Sequence, residues 1–302
     1  MDARYLILLA TVVNCRTITE LENLWIKSNC GADLSRPSRS FGGQPLSSDQ
    51  CSWAARIFTN ETVGLLFLCS GSLISPRHIL TAAHCVHNYN ETERLEHCRK
   101  NGDERFEYPL RNETEFVVYV GNKCIHPVKC QKAHYVERVI SHLQNRCILS
   151  SDIAILELDD DVPVYEATPI CLPTENLKIA EELLLVGAGY NPTLEKSGIL
   201  RFVELFYVGD QDDQGFVVGK NSSACPGDSG GPLFQKGEND RLTVVGVTKS
   251  IQAKPTEDDP CENEDLSQGE WSNYFTDVRR YISWICRNTE LCYMDEKWKG
   301  LS

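Results

Sequence analysis

Short runs of apolar or alternating residues, separated by polar turns, occupy the chain from about residue 53 onward. Their length and their content of β-branched residues are typical of strands rather than helices. Many short strands with few helical stretches predict an all-β fold, either a sandwich or a pair of barrels. The clearest runs are Val63–Leu68, Phe116–Val120, Ile153–Leu156, Leu183–Val186 and Leu242–Val247.

The pattern changes near the C-terminus. Apolar residues recur there at positions i, i+3, i+4 and i+7, namely Val278, Tyr281, Ile282 and Ile285. This spacing places them on one face of a helix. It predicts an amphipathic α-helix over Asp277–Asn288, with Thr276 or Asp277 as its N-cap. Two polar stretches, residues 86–115 and 252–270, are predicted to be surface loops.

An apolar run at the N-terminus, residues 5–13, follows the basic residue Arg4. It is too short to span a bilayer and suits the apolar region of a signal peptide. Val13 and Cys15 fill the positions before a cleavage site, so residues 1–15 are predicted to be the signal and Arg16 the first mature residue. The alternative is a buried N-terminal helix or strand. Because no other stretch approaches 18 apolar residues, we expect a secreted, extracellular protein without a membrane anchor.

Composition and charge narrow the choice of class. The 302 residues suffice for one large domain or two modest ones, and a hydrophobic content of 41% supports a packed core. The formal net charge is −13. This charge disfavours nucleic acid and anionic membranes as partners, because both repel an acidic protein.

Fourteen cysteines predict disulfides formed in an oxidising compartment. Zinc is the competing interpretation, but no two cysteines have Cys-x-x-Cys spacing, and the His-x-x-His of His84 and His87 means little alone. We therefore expect no metal and no cofactor. Four Asn-x-Ser/Thr sequons are candidate glycosylation sites, at Asn60, Asn90, Asn112 and Asn221.

Residues 225–233 read Cys-Pro-Gly-Asp-Ser-Gly-Gly-Pro-Leu and make Ser229 a candidate nucleophile. A serine hydroxyl needs a base to take its proton and donors to stabilise the oxyanion that forms. The flanking glycines allow a sharp turn that aims backbone N–H groups at one point. We expect the N–H groups of Gly227 and Ser229 to form such an oxyanion hole. A lone Gly-Asp-Ser-Gly would be a turn more often than a site, but the nine-residue string is more specific.

Two further strings supply a base and an acid. His84 ends Thr-Ala-Ala-His, and a histidine titrates near neutral pH, so it can accept and return a proton. Asp152 leads directly into an apolar run, where a buried carboxylate needs a hydrogen-bond donor such as a histidine N–H. Taken singly, His84 would be structural and Asp152 a strand cap. Together, in the order His84, Asp152, Ser229, they predict a catalytic triad.

These strings identify a resemblance to the trypsin/chymotrypsin family of serine proteases, from about Ser40 to Cys286. Cys69-Ser-Gly-Ser-Leu-Ile74 resembles the family's Cys-Gly-Gly-Ser-Leu-Ile, and Gly187-Ala-Gly189 resembles its Gly-Trp-Gly. The resemblance implies two six-stranded antiparallel β-barrels followed by the C-terminal helix. The long polar insert and Trp-Ile-Cys near the C-terminus resemble a divergent nematode branch of the family.

The resemblance also implies three disulfides, Cys30–Cys171, Cys69–Cys85 and Cys225–Cys261. It does not assign the other cysteines of the mature chain, which are Cys51, Cys98, Cys124, Cys130, Cys147, Cys286 and Cys292. Their number is odd, so one of them is free or bridges to another chain.

Members of this family are made as zymogens, which implies a propeptide over residues 16–39 and a protease domain over residues 40–302. Cleavage after Arg39 would free the α-amino group of Ser40 to pair with Asp228, the residue before the nucleophile. Ser40 lacks the apolar side chain that the family places at this position, so we expect weaker activation than usual.

The specificity pocket departs from the family pattern. The floor should be Ser223, six residues before Ser229, and a neutral floor offers no ion pair to Arg or Lys. Lys249 falls where the family carries tryptophan, and Asn273 replaces a wall glycine and should narrow the pocket. We expect a monomeric endopeptidase that cuts protein or peptide substrates after small or medium apolar residues. The alternatives are a weak or inactive homologue that acts as a binding protein, and a related esterase.

Overall fold

The computed structural model describes twelve ranges of the chain, and the strands, helices and contacts below refer to them alone. They are residues 17–32, 50–62, 64–88, 90–101, 108–142, 151–190, 198–211, 214–220, 223–237, 240–252, 261 and 270–292.

The first six strands form one closed antiparallel barrel with the neighbour order β1-β2-β3-β6-β5-β4. Their bounds are β1 Ala54–Glu61, β2 Gly64–Ser75, β3 His78–Thr81, β4 Phe116–Val120, β5 His134–Ser141 and β6 Ala154–Leu158. Every residue of β4 and β6 is buried, as short continuous apolar runs predict.

The other six strands form a second closed barrel with the neighbour order β10-β11-β12-β9-β8-β7. Their bounds are β7 Glu182–Gly187, β8 Arg201–Gln211, β9 Gln214–Lys220, β10 Pro232–Lys236, β11 Leu242–Gln252 and β12 Glu270–Asp277. The expectation of two six-stranded antiparallel barrels is therefore confirmed, and each of the five predicted runs overlaps a strand.

The two barrels are joined by packing and by hydrogen bonds. Trp53, directly before β1, packs edge-on against Phe234 of β10 with 4.9 Å between ring centroids. Ser70 of β2 donates its N–H to the carbonyl of Ser229 at 2.9 Å. The loop that carries the predicted nucleophile is thus fixed against the other barrel.

Within the described residues, four α-helices flank the barrels, at α1 Glu20–Asn29, α2 Glu91–Asn101, α3 Pro127–Cys130 and α4 Ile282–Thr289. The predicted C-terminal helix is present, although its first turn, Val278–Tyr281, is a 3-10 helix. Asp277 caps it by accepting from the N–H of Arg279 at 3.1 Å. Among the described residues, no helix is both long and apolar enough to cross a membrane.

The prediction of a loop over residues 86–115 is wrong for Glu91–Asn101, which is helical. The polar composition gave no signal for this helix. Its basic residues Arg99 and Lys100 lie in the last turn, where their charges interact favourably with the helix dipole. An ion pair of 3.7 Å between Glu96 and Lys100 adds an i, i+4 contact. The acidic stretch 252–270 lies outside the described residues except for Gln252, Cys261 and Glu270.

Helix α1 lies in the segment predicted to be the propeptide. Thr19 and Glu22 form a capping box, in which Thr19 accepts from the N–H of Glu22 and Glu22 accepts from the N–H of Thr19. Ile26 of this helix is fully buried in the main core. Glu22 forms an ion pair of 3.2 Å with the buried Arg77. Residues 17–32 are therefore packed onto the barrels rather than extended in solvent.

Five disulfides join pairs of described cysteines. Three are the pairs that the resemblance implies, Cys30–Cys171, Cys69–Cys85 and Cys225–Cys261. The other two, Cys124–Cys130 and Cys286–Cys292, close short loops that the sequence left unassigned. Cys98 is also disulfide-bonded, and Cys51 is buried.

Candidate active site

His84 and Asp152 meet on the first barrel. His84 lies in a 3-10 helix over Ala83–Val86 that follows β3, and Asp152 lies two residues before β6, which pairs with β3. Asp152 makes two contacts with His84. Its Oδ2 lies 2.7 Å from Nδ1 of the ring, and its Oδ1 accepts from the backbone N–H of His84 at 2.8 Å. Two bonds to one residue fix the orientation of the imidazole.

Burial and charge set the proton affinities of this pair. Burial lowers the pKa of His84, but the charge and the hydrogen bond of Asp152 raise it more, so the pKa lies above its ordinary value. Burial raises the pKa of Asp152, whereas the charge and the hydrogen bonds of His84 lower it more, so the pKa lies below its ordinary value. The carboxylate therefore stays ionised while the imidazole is basic enough to accept a proton.

Ser229 lies beside the segment that leads into His84. The residue after it, Gly230, donates its N–H to the carbonyl of Thr248 at 2.8 Å. A Cβ at Gly230 would lie 2.1 Å from Oγ1 of Thr81 and 3.0 Å from the backbone nitrogen of Ala82. Only glycine permits this close approach of the residue after Ser229 to the segment that precedes His84.

The backbone around Ser229 leaves two N–H groups uncommitted. The N–H groups of Cys225, Asp228, Gly230 and Gly231 all donate to described acceptors, and residue 226 is proline. Those of Gly227 and Ser229 have no acceptor in the described part of the chain. Gly227 has φ of 96°, and a Cβ there would lie 2.5 Å from Cε1 of Phe67. These are the two donors that the sequence predicts for an oxyanion hole.

Ser70 of β2 braces this loop. Its hydroxyl donates to the carbonyl of Gly227 at 2.9 Å and accepts from the N–H of Ala188 at 2.9 Å. Its backbone N–H donates to the backbone carbonyl of Ser229, and its own carbonyl accepts from the hydroxyl of Thr81 at 2.9 Å. Sequence reasoning noted the Cys-Ser-Gly string but missed this role, because the family's glycine at this position has no hydroxyl.

The Asp228 carboxylate lies in a closed site behind the nucleophile. Its Oδ1 accepts from the N–H of Gly189 at 2.7 Å and its Oδ2 from the N–H of Cys225 at 2.8 Å. Burial raises the pKa of Asp228, and the nearby Arg201 and these two hydrogen bonds offset only part of that rise. Arg201, which sequence reasoning missed, is itself buried, with its Nη2 3.9 Å from Oδ2.

The predicted floor and wall of the specificity pocket are in contact. Ser223 and Asn273 are both buried, and the Ser223 hydroxyl donates to Oδ1 of Asn273 at 3.1 Å. The same Oδ1 accepts from the N–H of Ala224 at 3.0 Å. The Asn273 amide is therefore held against Ser223 and Ala224 by two hydrogen bonds.

The charge of Lys249 acts on both His84 and Asp152, which the sequence does not predict. It is buried, at a bulge of β11 between Thr248 and Ser250. Its positive charge lowers the pKa of His84 and also that of Asp152, although it is the smallest of the effects on each. A positive charge beside the triad is a feature that the spacing of the strings does not reveal.

Three metal-donor residues lie near the triad, since donor atoms of Cys69, His84 and Cys85 are within 4.8 Å of one another. The two sulfurs are bonded to each other, so they cannot serve as thiolate ligands. The sequons at Asn60, Asn90 and Asn112 are exposed. Arg39, Ser40 and Asn221 lie outside the described residues.

Comparison with known proteins identifies the family of this chain. The family model described as Trypsin matches residues 40–285. A CLIP domain-containing serine protease B10 of Anopheles gambiae is 28% identical, over 86% of this chain and 72% of its own length. The chymotrypsin-C of Bos taurus is 25% identical, over 87% of this chain and 95% of its own.

A venom serine protease of Bombus ignitus, Bi-VSP, is 31% identical over 68% of this chain. The chain spans 59% of that relative's length, so this relative is considerably longer. The family match covers most of the chain, and it covers all of the strings on which the resemblance rests. The chain belongs to the trypsin family and is a serine endopeptidase.

Proposed function

We propose that this chain is a secreted endopeptidase that acts through His84, Asp152 and Ser229 by way of an acyl-enzyme. The observation that carries the proposal is the two-point contact of Asp152 with His84, at 2.7 and 2.8 Å. That contact holds the Nδ1–H tautomer and leaves Nε2 of the ring to act as the base.

The reaction then proceeds in two halves. Ser229 Oγ attacks the carbonyl carbon of the substrate while Nε2 of His84 takes the hydroxyl proton. The N–H groups of Gly227 and Ser229 donate to the oxyanion, and His84 returns its proton to the leaving amine. Water attacks the acyl-enzyme by the same route and releases the acid.

Activation by cleavage after Arg39 is part of the proposal. The new α-amino group of Ser40 would supply a positive charge to Asp228, whose carboxylate is buried beside the loop of the nucleophile. We also propose that residues 1–15 are a signal peptide and that residues 16–39 remain attached through Cys30–Cys171 as a propeptide. The protease domain begins at Ser40.

The pocket favours a small or medium apolar residue. Ser223 provides no negative charge for Arg or Lys, and Asn273 reduces the space above it. The contact between Ser223 and Asn273 also favours a second candidate function. In this alternative the pocket is closed, and the chain is a weakly active or inactive homologue that binds a partner.

Controlled cleavage separates the two candidates. The proform is incubated with trypsin, the new N-terminus is sequenced, and the product is treated with a fluorophosphonate probe and a panel of chromogenic peptides. We expect an N-terminus at Ser40, labelling that a Ser229→Ala variant lacks, and a preference for apolar residues. Failure of Ser40 to appear, or its appearance without labelling, would favour the binding protein. Preference for Arg would contradict the pocket assignment.

A further inference from the structure

The Asp228 carboxylate is tightly enclosed, so few positively charged groups can reach it. A Cβ at Gly187 or Gly189 would lie 2.2 or 2.6 Å from the carboxylate, so both glycines are needed to admit it. Its side chain is 2% exposed. A buried carboxylate with two N–H donors still lacks a cation, and an unpaired buried charge is strongly unfavourable.

Arg201 provides a cation at this site without any cleavage. It is the first residue of β8 and pairs in register with Gly187 of β7, which places it beside the Gly187–Gly189 segment. Its side chain is 7% exposed and its Nη2 lies 3.9 Å from Oδ2 of Asp228. The same Nη2 donates to the carbonyl of Tyr190, which keeps the guanidinium directed toward the carboxylate.

The distance between Arg201 and Asp228 determines how the two side chains interact. At 3.9 Å the pair has the attraction of opposite charges but no direct hydrogen bond of normal length. Within the described residues, Nε of Arg201 also lacks an acceptor. The guanidinium therefore interacts with Asp228 through charge and hydrogen-bonds to backbone carbonyls instead, and the carboxylate remains able to accept a closer cation.

We infer that Arg201 is a positioning residue that holds Asp228, and through it the Gly227–Ser229 backbone, in the working conformation before cleavage. The inference rests on the proposed function, because it concerns how the same site becomes active. The uncleaved chain then has basal activity, and the α-amino group of Ser40 strengthens an arrangement that already exists. This fits Ser40, whose small polar side chain contributes little to insertion.

The test uses the full secreted chain with Arg39→Gln, which blocks the proposed cleavage. Arg201→Gln removes the charge, and Arg201→Lys retains it. Arg77→Gln is the matched control, since Arg77 is equally buried and paired with carboxylates, Glu22 and Asp161, away from Asp228. The rate of fluorophosphonate labelling at Ser229, and kcat and KM on a peptide substrate, are measured for each variant, with thermal unfolding as a check on folding.

We expect the uncleaved Arg39→Gln protein to label measurably. Arg201→Gln should slow labelling about tenfold or more, mainly through kcat, because the oxyanion donors act in the transition state. Arg201→Lys should restore most of the rate, and Arg77→Gln should not change it. In a parallel set of variants that retain Arg39 and are cleaved with trypsin, the loss with Arg201→Gln should shrink to about threefold or less, since Ser40 then supplies the cation.

Equal rates for Arg201→Gln and Arg77→Gln would overturn the inference, and so would equal rates for Arg201→Lys and Arg201→Gln. Absence of labelling in the uncleaved protein, with normal labelling after cleavage, would overturn it while leaving the proposed function intact. Absence of labelling in both forms would overturn the proposed function as well.

Discussion

Asp152 acts on His84 through both its charge and its geometry. It has no exposed surface, and the His84 side chain keeps 21% of its own. The carboxylate is thus shielded from water while the ring remains open to substrate. A change that preserves the shape of Asp152 but alters its hydrogen bonding should therefore affect catalysis far more than folding.

Asp152→Asn tests this separation. The amide oxygen can still accept from the backbone N–H of His84. The NH2 group, however, faces Nδ1 of the ring and favours the tautomer whose Nε2 carries the proton. We expect kcat to fall about 10⁴-fold at neutral pH, measured on a peptide substrate. The control is Asp160→Asn, which alters another histidine–carboxylate contact, between the buried His134 and the partly exposed Asp160 at 2.9 Å. A comparable loss in the control would show that the effect is not specific to the triad.

Lys249 gives a second prediction, for pH dependence. Its positive charge disfavours the protonated form of His84 and so lowers the pKa of that residue. Lys249→Met should therefore raise the pKa of His84, and the acid-side midpoint of kcat/KM should move to higher pH because His84 acts deprotonated. The profile of kcat/KM against pH measures this shift. Lys236→Met, an exposed lysine of β10, should leave the midpoint unchanged; a downward shift with Lys249→Met would contradict the argument.

The sequence predicted some of these residues and missed others for a physical reason. His84, Asp152 and Ser229 each lie in a local string whose glycines, alanines or apolar neighbours are needed for close packing. Arg201 has no such string around it, and the sequence predicted Lys249 only as a residue of the specificity pocket. Cross-strand pairing places Arg201 beside Gly187, whereas Lys249 lies at a bulge of β11 and acts on His84 through its charge.

Ser70 of strand β2 hydrogen-bonds to the loop of the nucleophile and so connects it to the first barrel. Ser70 uses its hydroxyl twice, toward Gly227 and Ala188, both at 2.9 Å. Ser72 lies on the same strand and is equally buried, but its hydroxyl has no partner in the described part of the chain. The two serines therefore form a natural comparison.

Ser70→Ala should destabilise the protein by about 1–3 kcal/mol, since it leaves the buried N–H of Ala188 without its acceptor. It should also lower kcat, because the carbonyl of Gly227 loses the donor that holds the oxyanion loop. Ser72→Ala should be neutral or slightly stabilising, since it removes a buried hydroxyl without a partner. Urea unfolding and steady-state kinetics measure both effects. Equal changes in the two variants would refute the role assigned to Ser70.

The helices show where patterns along the chain are a poor guide. Thr19-x-x-Glu22 is a capping-box signal for α1, yet the residues after it are too mixed in polarity to show a clear apolar stripe. Its stability depends on tertiary contacts, chiefly burial of Ile26 and the Cys30–Cys171 bond. By contrast α4 was predictable, because Ile282 and Ile285 face the core at helical spacing.

The chain as a whole is closed by contacts between its N-terminal segment and distant parts of the barrels. Asn23 of α1 donates to the carbonyl of Glu290 at 2.7 Å and accepts from the N–H of Cys292 at 3.0 Å. Gly31 follows α1 with φ of 64°, and a Cβ there would lie 2.3 Å from the carbonyl oxygen of Leu242. Residues 17–32 thus form part of the folded molecule.

Disulfides that close loops of different length should contribute unequally to the free energy of unfolding. Cys30–Cys171 joins residues 141 apart, whereas Cys286–Cys292 joins residues six apart. In the chain-entropy model the longer loop stabilises by about 5 kcal/mol and the shorter by about 2 kcal/mol. Replacing both cysteines of a pair by serine in the uncleaved Arg39→Gln protein should lower the free energy of unfolding in that order, as measured in urea. The reverse order would mean that contacts such as Asn23 with Glu290, rather than the covalent bond, hold the N-terminal segment.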